Sequence, residues 1–169
     1  MEVRSVTAIV RALNDAGVRY LIAGGVAVVA HGYVRYTADL DLILDLTEEN
    51  LRPATAALAG LGYRPTAPVP LEAFADRPTR ADWVRTKGLT VLSLHSPQHP
   101  ATVVDLFVEA PFDFDRAFAV AARMEVAAGL PAPFVSLDDL LALKRQADRP
   151  KDRMDIEQLE KIREGRADG

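Results

Sequence analysis

Apolar and polar positions repeat along this chain with two different periods. Val3, Val6, Ile9, Val10 and Leu13 recur at helical spacing, and Gly17 follows as a stop. Tyr20-Leu21-Ile22-Ala23 is a short continuous apolar run that predicts a buried strand, and Gly24-Gly25 breaks it. Val26 to His31 is small and apolar and predicts a short helix. At Asp39 the period becomes two: Leu40, Leu42 and Leu44 alternate with Asp39, Asp41, Ile43 and Asp45, which predicts a strand. Thr47-Glu48-Glu49-Asn50 predicts a helix start with Thr47 as N-cap. That helix runs to about Ala59 and stops at Gly60 or Gly62.

The proline-rich stretch from Tyr63 to Gly88 has no dominant period. Leu89–His95 and Thr102–Val108 are strand-like, and Ser96-Pro97-Gln98-His99-Pro100 between them predicts a hairpin turn. Phe112 to about Ala122 predicts a helix, and Met124 to Val135 one or two short strands. Ser136-Leu137-Asp138-Asp139 is similar to a capping box, with Asp in place of Glu, ahead of Leu140, Leu141 and Leu143. Pro150 opens a last helix carrying Met154, Ile156, Leu159 and Ile162. The order is mixed α and β.

Composition narrows the classes. A length of 169 residues predicts one domain, 1–169, with a helical C-terminal part from about 136. Hydrophobic residues at 49% and charged residues at 26% exclude a disordered chain. There is no cysteine, which excludes disulfides, thiolate metal sites and cysteine nucleophiles together. The formal charge of -4 argues against a broad grip on duplex DNA. No apolar run spans a bilayer, and the start Met1-Glu2-Val3-Arg4 lacks the pattern of a signal peptide, so a soluble cytoplasmic protein is expected.

The chemistry rests on carboxylates. Asp39 and Asp41, two apart on a predicted strand, point to one face. Such a pair most often describes a solvated strand face, but a divalent cation relieves its repulsion, and hard oxygen ligands suit Mg²⁺. Gly24-Gly25 ends one strand and opens a helix, where backbone N–H groups can approach a phosphate. A tight strand-to-helix turn alone would explain the same two glycines. Asp105 stands inside the apolar run Val103-Val104-Asp105-Leu106-Phe107-Val108, where a lone carboxylate is costly unless it is paired or bound.

Ala23-Gly24-Gly25, thirteen residues, then Asp39-Leu40-Asp41-Leu42 resembles the signature of the DNA polymerase β-like nucleotidyltransferases. The stretch from His31 to Asp41 is similar to the small bacterial branch related to abortive-infection toxin proteins. So is the C-terminal run with Asp139-Leu140, Lys144, Arg149-Pro150-Lys151-Asp152 and Asp155-Ile156. The resemblance implies an α/β (α+β) fold, a short mixed sheet flanked by helices. It implies transfer of a nucleoside monophosphate from an NTP to a hydroxyl on a protein, a tRNA or a small molecule, with a place in a toxin–antitoxin pair. Asp39, Asp41 and Asp105 would be the catalytic and metal-binding residues, with Mg²⁺ or Mn²⁺. Gly24, Gly25, Arg35, Thr37 and Lys144 would serve the nucleotide. Many relatives carry Ser where this chain has Gly25.

Other features read as structural. Arg35 also fits a surface ion pair, and Lys144 a solvated helix face. Arg149, Lys151, Asp152 and Asp155 fit a local charge cluster. Arg77, Arg80, Arg85 and Lys87 around Trp83 could hold a nucleobase, but a basic rim over a buried Trp is favoured. His31, His95 and His99 have no metal-ligand spacing. The alternative to an enzyme is a catalytically silent module or antitoxin that binds a partner toxin or other protein.

Overall fold

A computed structural model describes residues 1–167. Helix α1 (Val3–Asp15) turns Val6, Ile9, Val10 and Leu13 into the core, and Gly17, at φ +67°, makes the sharp exit. Strand β1 (Tyr20–Ala23) is buried on every residue, as its unbroken apolar run requires. Helix α2 (Gly24–His31) starts two residues earlier than its apolar pattern predicts, because the glycines themselves form its first turn. Strand β2 (Asp39–Leu44) keeps the predicted alternation: Leu40 and Leu42 are fully buried and Asp39 and Asp41 are only partly so.

Helix α3 (Glu48–Gly60) begins after Thr47, but the Thr47 side chain makes no cap bond. Strand β3 (Arg64–Pro65), a short 3₁₀ turn (Leu71–Ala75) and helix α4 (Arg77–Lys87) fill the stretch that has no period in sequence. Asp76 caps α4 by accepting from the Thr79 N–H at 2.9 Å. Strands β4 (Val91–His95) and β5 (Val103–Phe107) form the predicted antiparallel hairpin. Helix α5 (Phe114–Ala119) is shorter than predicted. Asp113 caps its start, and the chain is already in strand β6 (Ala122–Ala127) by Ala122. Strand β7 (Leu130–Phe134) pairs back on β6.

Helix α6 (Leu137–Ala147) opens at Ser136, whose Oγ accepts from the Asp139 N–H at 3.1 Å. The Asp139 carboxylate takes the Ser136 hydroxyl and the Arg116 guanidinium, so only half of the capping box forms. Pro150 opens helix α7 (Pro150–Ala167), where its missing N–H costs no helical bond.

The strands form one mixed sheet in the order β3-β4-β5-β2-β1-β7-β6. Strand β2 runs antiparallel to β1 and parallel to β5, so two chemically marked strands lie side by side. One core cluster joins α1 and α2 to the sheet's central strands. Trp83 and Phe74 are buried in it, and buried Arg80 donates to the Phe74 carbonyl at 2.6 Å. No helix among the described residues is long and apolar enough to cross a membrane.

Candidate active site

Register brings the carboxylates together. In the parallel β2–β5 pair Asp41 lies opposite Asp105 and Asp39 opposite Val103. Neighbouring strands are about 4.8 Å apart, so Asp41 and Asp105 stand one strand spacing apart, and Asp39 lies two residues along β2 on the same sheet face. The face extends to β4, where Ser93 lies opposite Asp105 and its hydroxyl donates to Asp105 Oδ1 at 2.6 Å.

Burial pushes the Asp41 carboxyl up to about 6, and the charges of Asp105 and Asp39 push in the same direction. Burial also raises Asp105, partly offset by the Ser93 hydrogen bond. The sheet therefore holds a wall of negative charge whose own partners do not neutralise it.

The glycine turn packs directly on this wall. Gly24 has φ +60°, and a Cβ there would overlap the Asp41 carboxylate. A Cβ on Gly25 would lie 2.5 Å from Thr37 Oγ1 and 3.1 Å from an Arg35 guanidinium nitrogen. Side chains of the protein itself thus require both glycines. The first N–H groups of α2 lie here without a side-chain cap, and Ala23, Gly24 and Gly25 line the cavity.

A third group comes from the C-terminal helices. Asp152 and Asp155 on α7 are buried, and Lys144 on α6 donates to both, at 2.9 and 2.7 Å. Arg35 grips Asp155 through Nε at 2.8 Å and Nη2 at 2.9 Å. Arg149 grips Asp152 through Nε at 2.6 Å. Burial raises the Asp152 carboxyl, but Arg149 and Lys144 outweigh it and hold the group down at about 2. Lys144 is thus occupied by two carboxylates rather than extended toward a phosphate, and Arg35 is tied to α7 as a buried pair rather than a surface one.

Gly24, Gly25, Arg35, Thr37, Asp39, Asp41, Asp105 and Lys144 all line a single cavity of about 450 Å³. No family model matches the chain, and no curated protein matches it. Solved structures do match. The lincosamide antibiotic adenylyltransferase LnuA, bound to lincomycin, gives a TM-score of 0.62 at 15% identity, over 94% of this chain and 96% of that one. ANT(2'')-Ia in complex with adenylyl-2''-tobramycin gives 0.55 at 19% identity, over 98% of this chain and 94% of that one. The solution structure of the antibiotic-resistance factor ANT(2'')-Ia gives 0.58 at 20% identity, over 98% and 89%. The chain has the fold of these nucleotidyltransferases.

Within the nucleotidyltransferase fold, the donors at the acidic wall are oxygen only and carry excess negative charge, which suits a hard divalent cation. Asp41 is turned onto Gly24 and Asp105 onto Ser93. Among the described residues no three His, Cys, Asp or Glu side chains already close into a metal cage. A cation would have to draw the carboxylates together.

Ser93 and Lys151 are cavity or wall residues that sequence reasoning did not assign to the site. Ser93 is visible only once the hairpin register is known. Lys151 stood in the C-terminal run as one charge among several. The histidines stay outside the chemistry: His31 Nε2 lies 2.8 Å from the Val135 carbonyl, and His99 stacks on Tyr63 at 5.8 Å. The basic cluster around Trp83 is a brace and a rim, with Arg80 inside and Arg85 paired to Asp82.

Proposed function

We propose that this protein transfers a nucleoside monophosphate from an NTP to a hydroxyl of a small-molecule acceptor, releasing pyrophosphate. The observation that carries the reading is Asp41 in register with Asp105 on a wall that its own protein partners leave uncompensated. Asp39, Asp41 and Asp105 would hold Mg²⁺ or Mn²⁺. When bound, the cation neutralises charge on the phosphates and makes the α-phosphorus easier to attack.

The chain's own groups account for the rest. The uncapped N–H groups at the start of α2 bind phosphate oxygens, and Gly24 and Gly25 let that turn sit against β2. Thr37 packs against Gly25, and Arg35, anchored on Asp155, backs the turn. Asp105 takes the proton of the acceptor hydroxyl as its oxygen attacks the α-phosphorus and the bond to the pyrophosphate oxygen breaks. Ser93 fixes one Asp105 oxygen and leaves the other to face the acceptor.

A small-molecule acceptor is favoured over a protein or tRNA partner in a toxin–antitoxin pair. Phe107, Pro111 and Leu143 give the cavity an apolar side beside the carboxylates, against which the body of a small ligand can lie. Two of the structural neighbours carry a small molecule, lincomycin in one and adenylyl-2''-tobramycin in the other. A silent binding module would carry the cost of burying Asp41 beside Asp105 with no return.

The test is transfer of label from an NTP labelled at the α-phosphate, with Mg²⁺, to a panel of hydroxylated antibiotics, total tRNA and protein. Labelled antibiotic, absent with Asp39→Asn or Asp41→Asn, supports the reading. Label on tRNA or protein alone moves the acceptor class, and no NTP binding at millimolar concentration removes the enzyme.

A further inference from the structure

Four cations line the cavity: Arg35, Lys144, Arg149 and Lys151. Three of them are already engaged by the two buried carboxylates of α7. Lys144 lies between Asp152 and Asp155, Arg35 is bidentate on Asp155, and Arg149 holds Asp152 through Nε and Nη2. The centre of the network is buried and closed: Lys144, Asp152 and Asp155 are all buried, and among the described residues no buried side-chain N or O lacks a partner, while Arg149 holds Asp152 from the exposed rim. Moving Lys144 onto a ligand would leave two buried carboxylates short of a cation, which is strongly unfavourable.

Lys151 is different. It is exposed at the first turn of α7, lines the same cavity and makes no ion pair or hydrogen bond among the described residues. Its charge reaches Asp105 across the cleft. An ammonium on a flexible stem, already at the cavity and without a protein partner, is available to an anionic ligand.

We propose that Lys151, and not Lys144, is the side chain that binds the nucleotide's triphosphate, while Asp152 and Asp155 reserve the other three cations for holding the C-terminal helices against the glycine turn. This rests on the nucleotide reading above. It assigns the paired charges to the frame and the single unpaired charge to the substrate.

The experiment measures direct binding of α,β-methylene ATP, AMP and inorganic tripolyphosphate, with Mg²⁺, to wild type, Lys151→Ala and Lys151→Arg. Loss of one charge-assisted contact should weaken α,β-methylene ATP and tripolyphosphate by about 10- to 100-fold in Lys151→Ala and leave AMP within about twofold. Lys151→Arg should recover most of the loss, and the melting temperature of both variants should stay at that of wild type. If Lys151→Ala binds α,β-methylene ATP as wild type does, or loses AMP equally, the assignment is wrong. If wild type itself binds neither ATP analogue nor tripolyphosphate, the nucleotide reading fails, a result distinct from either.

Discussion

Two charged clusters share one cavity and are built on opposite terms. The sheet wall of Asp39, Asp41 and Asp105 carries three carboxylates and, among the described residues, one hydroxyl donor and no ion pair. The α6–α7 cluster has two carboxylates for three cations, and every charge in it is paired. Burial raises Asp41, and its neighbours Asp105 and Asp39 raise it further; burial also raises Asp152, but Arg149 and Lys144 reverse the direction. The same residue type in the same cavity is therefore held at about 6 in one place and about 2 in the other. Compensated charge is frame; uncompensated charge is a place for a ligand. That difference separates the two clusters better than motif position does, since both belong to runs that resemble one enzyme family.

The largest effect is expected at the wall. Asp39→Asn or Asp41→Asn should lower label transfer by about 10²- to 10³-fold or more, since charge stabilisation at a reacting centre has that scale. Circular dichroism should show the fold unchanged. The paired cluster should answer in the opposite way. Asp152→Ala leaves buried Lys144 under-compensated and should cost about 3–5 kcal/mol in denaturant unfolding. Its acid dependence follows from the same pairing. Asp152 sits below its ordinary 3.8, so its contribution is present above about pH 4 and is lost as pH falls through about 2.

A smaller effect tests how the turn is seated on the wall. Gly24→Ala forces a Cβ into the Asp41 carboxylate at positive φ and should cost about 1–3 kcal/mol of stability. It should also weaken nucleotide binding, because the turn must then move off β2. At the small end, Lys161→Ala removes an exposed pair with Glu157 on α7 and should leave the denaturant midpoint at that of wild type. A large effect there would mean that pairing alone, rather than buried pairing, decides what is frame.

Much of the wall is legible in sequence because local periodicity carries it. The period of two puts Asp39 and Asp41 on one face, and Asp105 stands out as a polar residue in an apolar strand. The α/β character and the β4–β5 hairpin follow from the same patterns. Ser93 does not stand out, because it is an ordinary polar position in β4 until pairing sets it opposite Asp105. The fate of Lys144 is hidden for a similar reason: its partners lie 8 and 11 residues on, across a helix–helix turn, and only packing of α7 on α6 brings them in. Residues 63–88 resist reading because prolines interrupt any period. Capping by Asp76 and burial of Phe74, Arg80 and Trp83 organise that stretch instead.

The most direct measurement is the unfolding free energy of wild type and Asp41→Asn, with and without Mg²⁺ and ATP, at pH 4 and pH 7. Because the folded Asp41 carboxyl titrates near 6, above its ordinary 3.8, the folded state holds the proton more tightly, and wild-type stability falls as pH rises through that window. Without ligand, Asp41→Asn should therefore be more stable than wild type at pH 7 by about 1–3 kcal/mol and nearly equal to it at pH 4. Adding Mg²⁺ and ATP at about a hundredfold over Kd should stabilise wild type by about 2–3 kcal/mol and the variant by much less, so that their order narrows or reverses. A variant that is less stable than wild type without ligand, and gains as much from Mg²⁺ and ATP, would contradict the claim that the carboxylate wall is a ligand site left uncompensated by the fold.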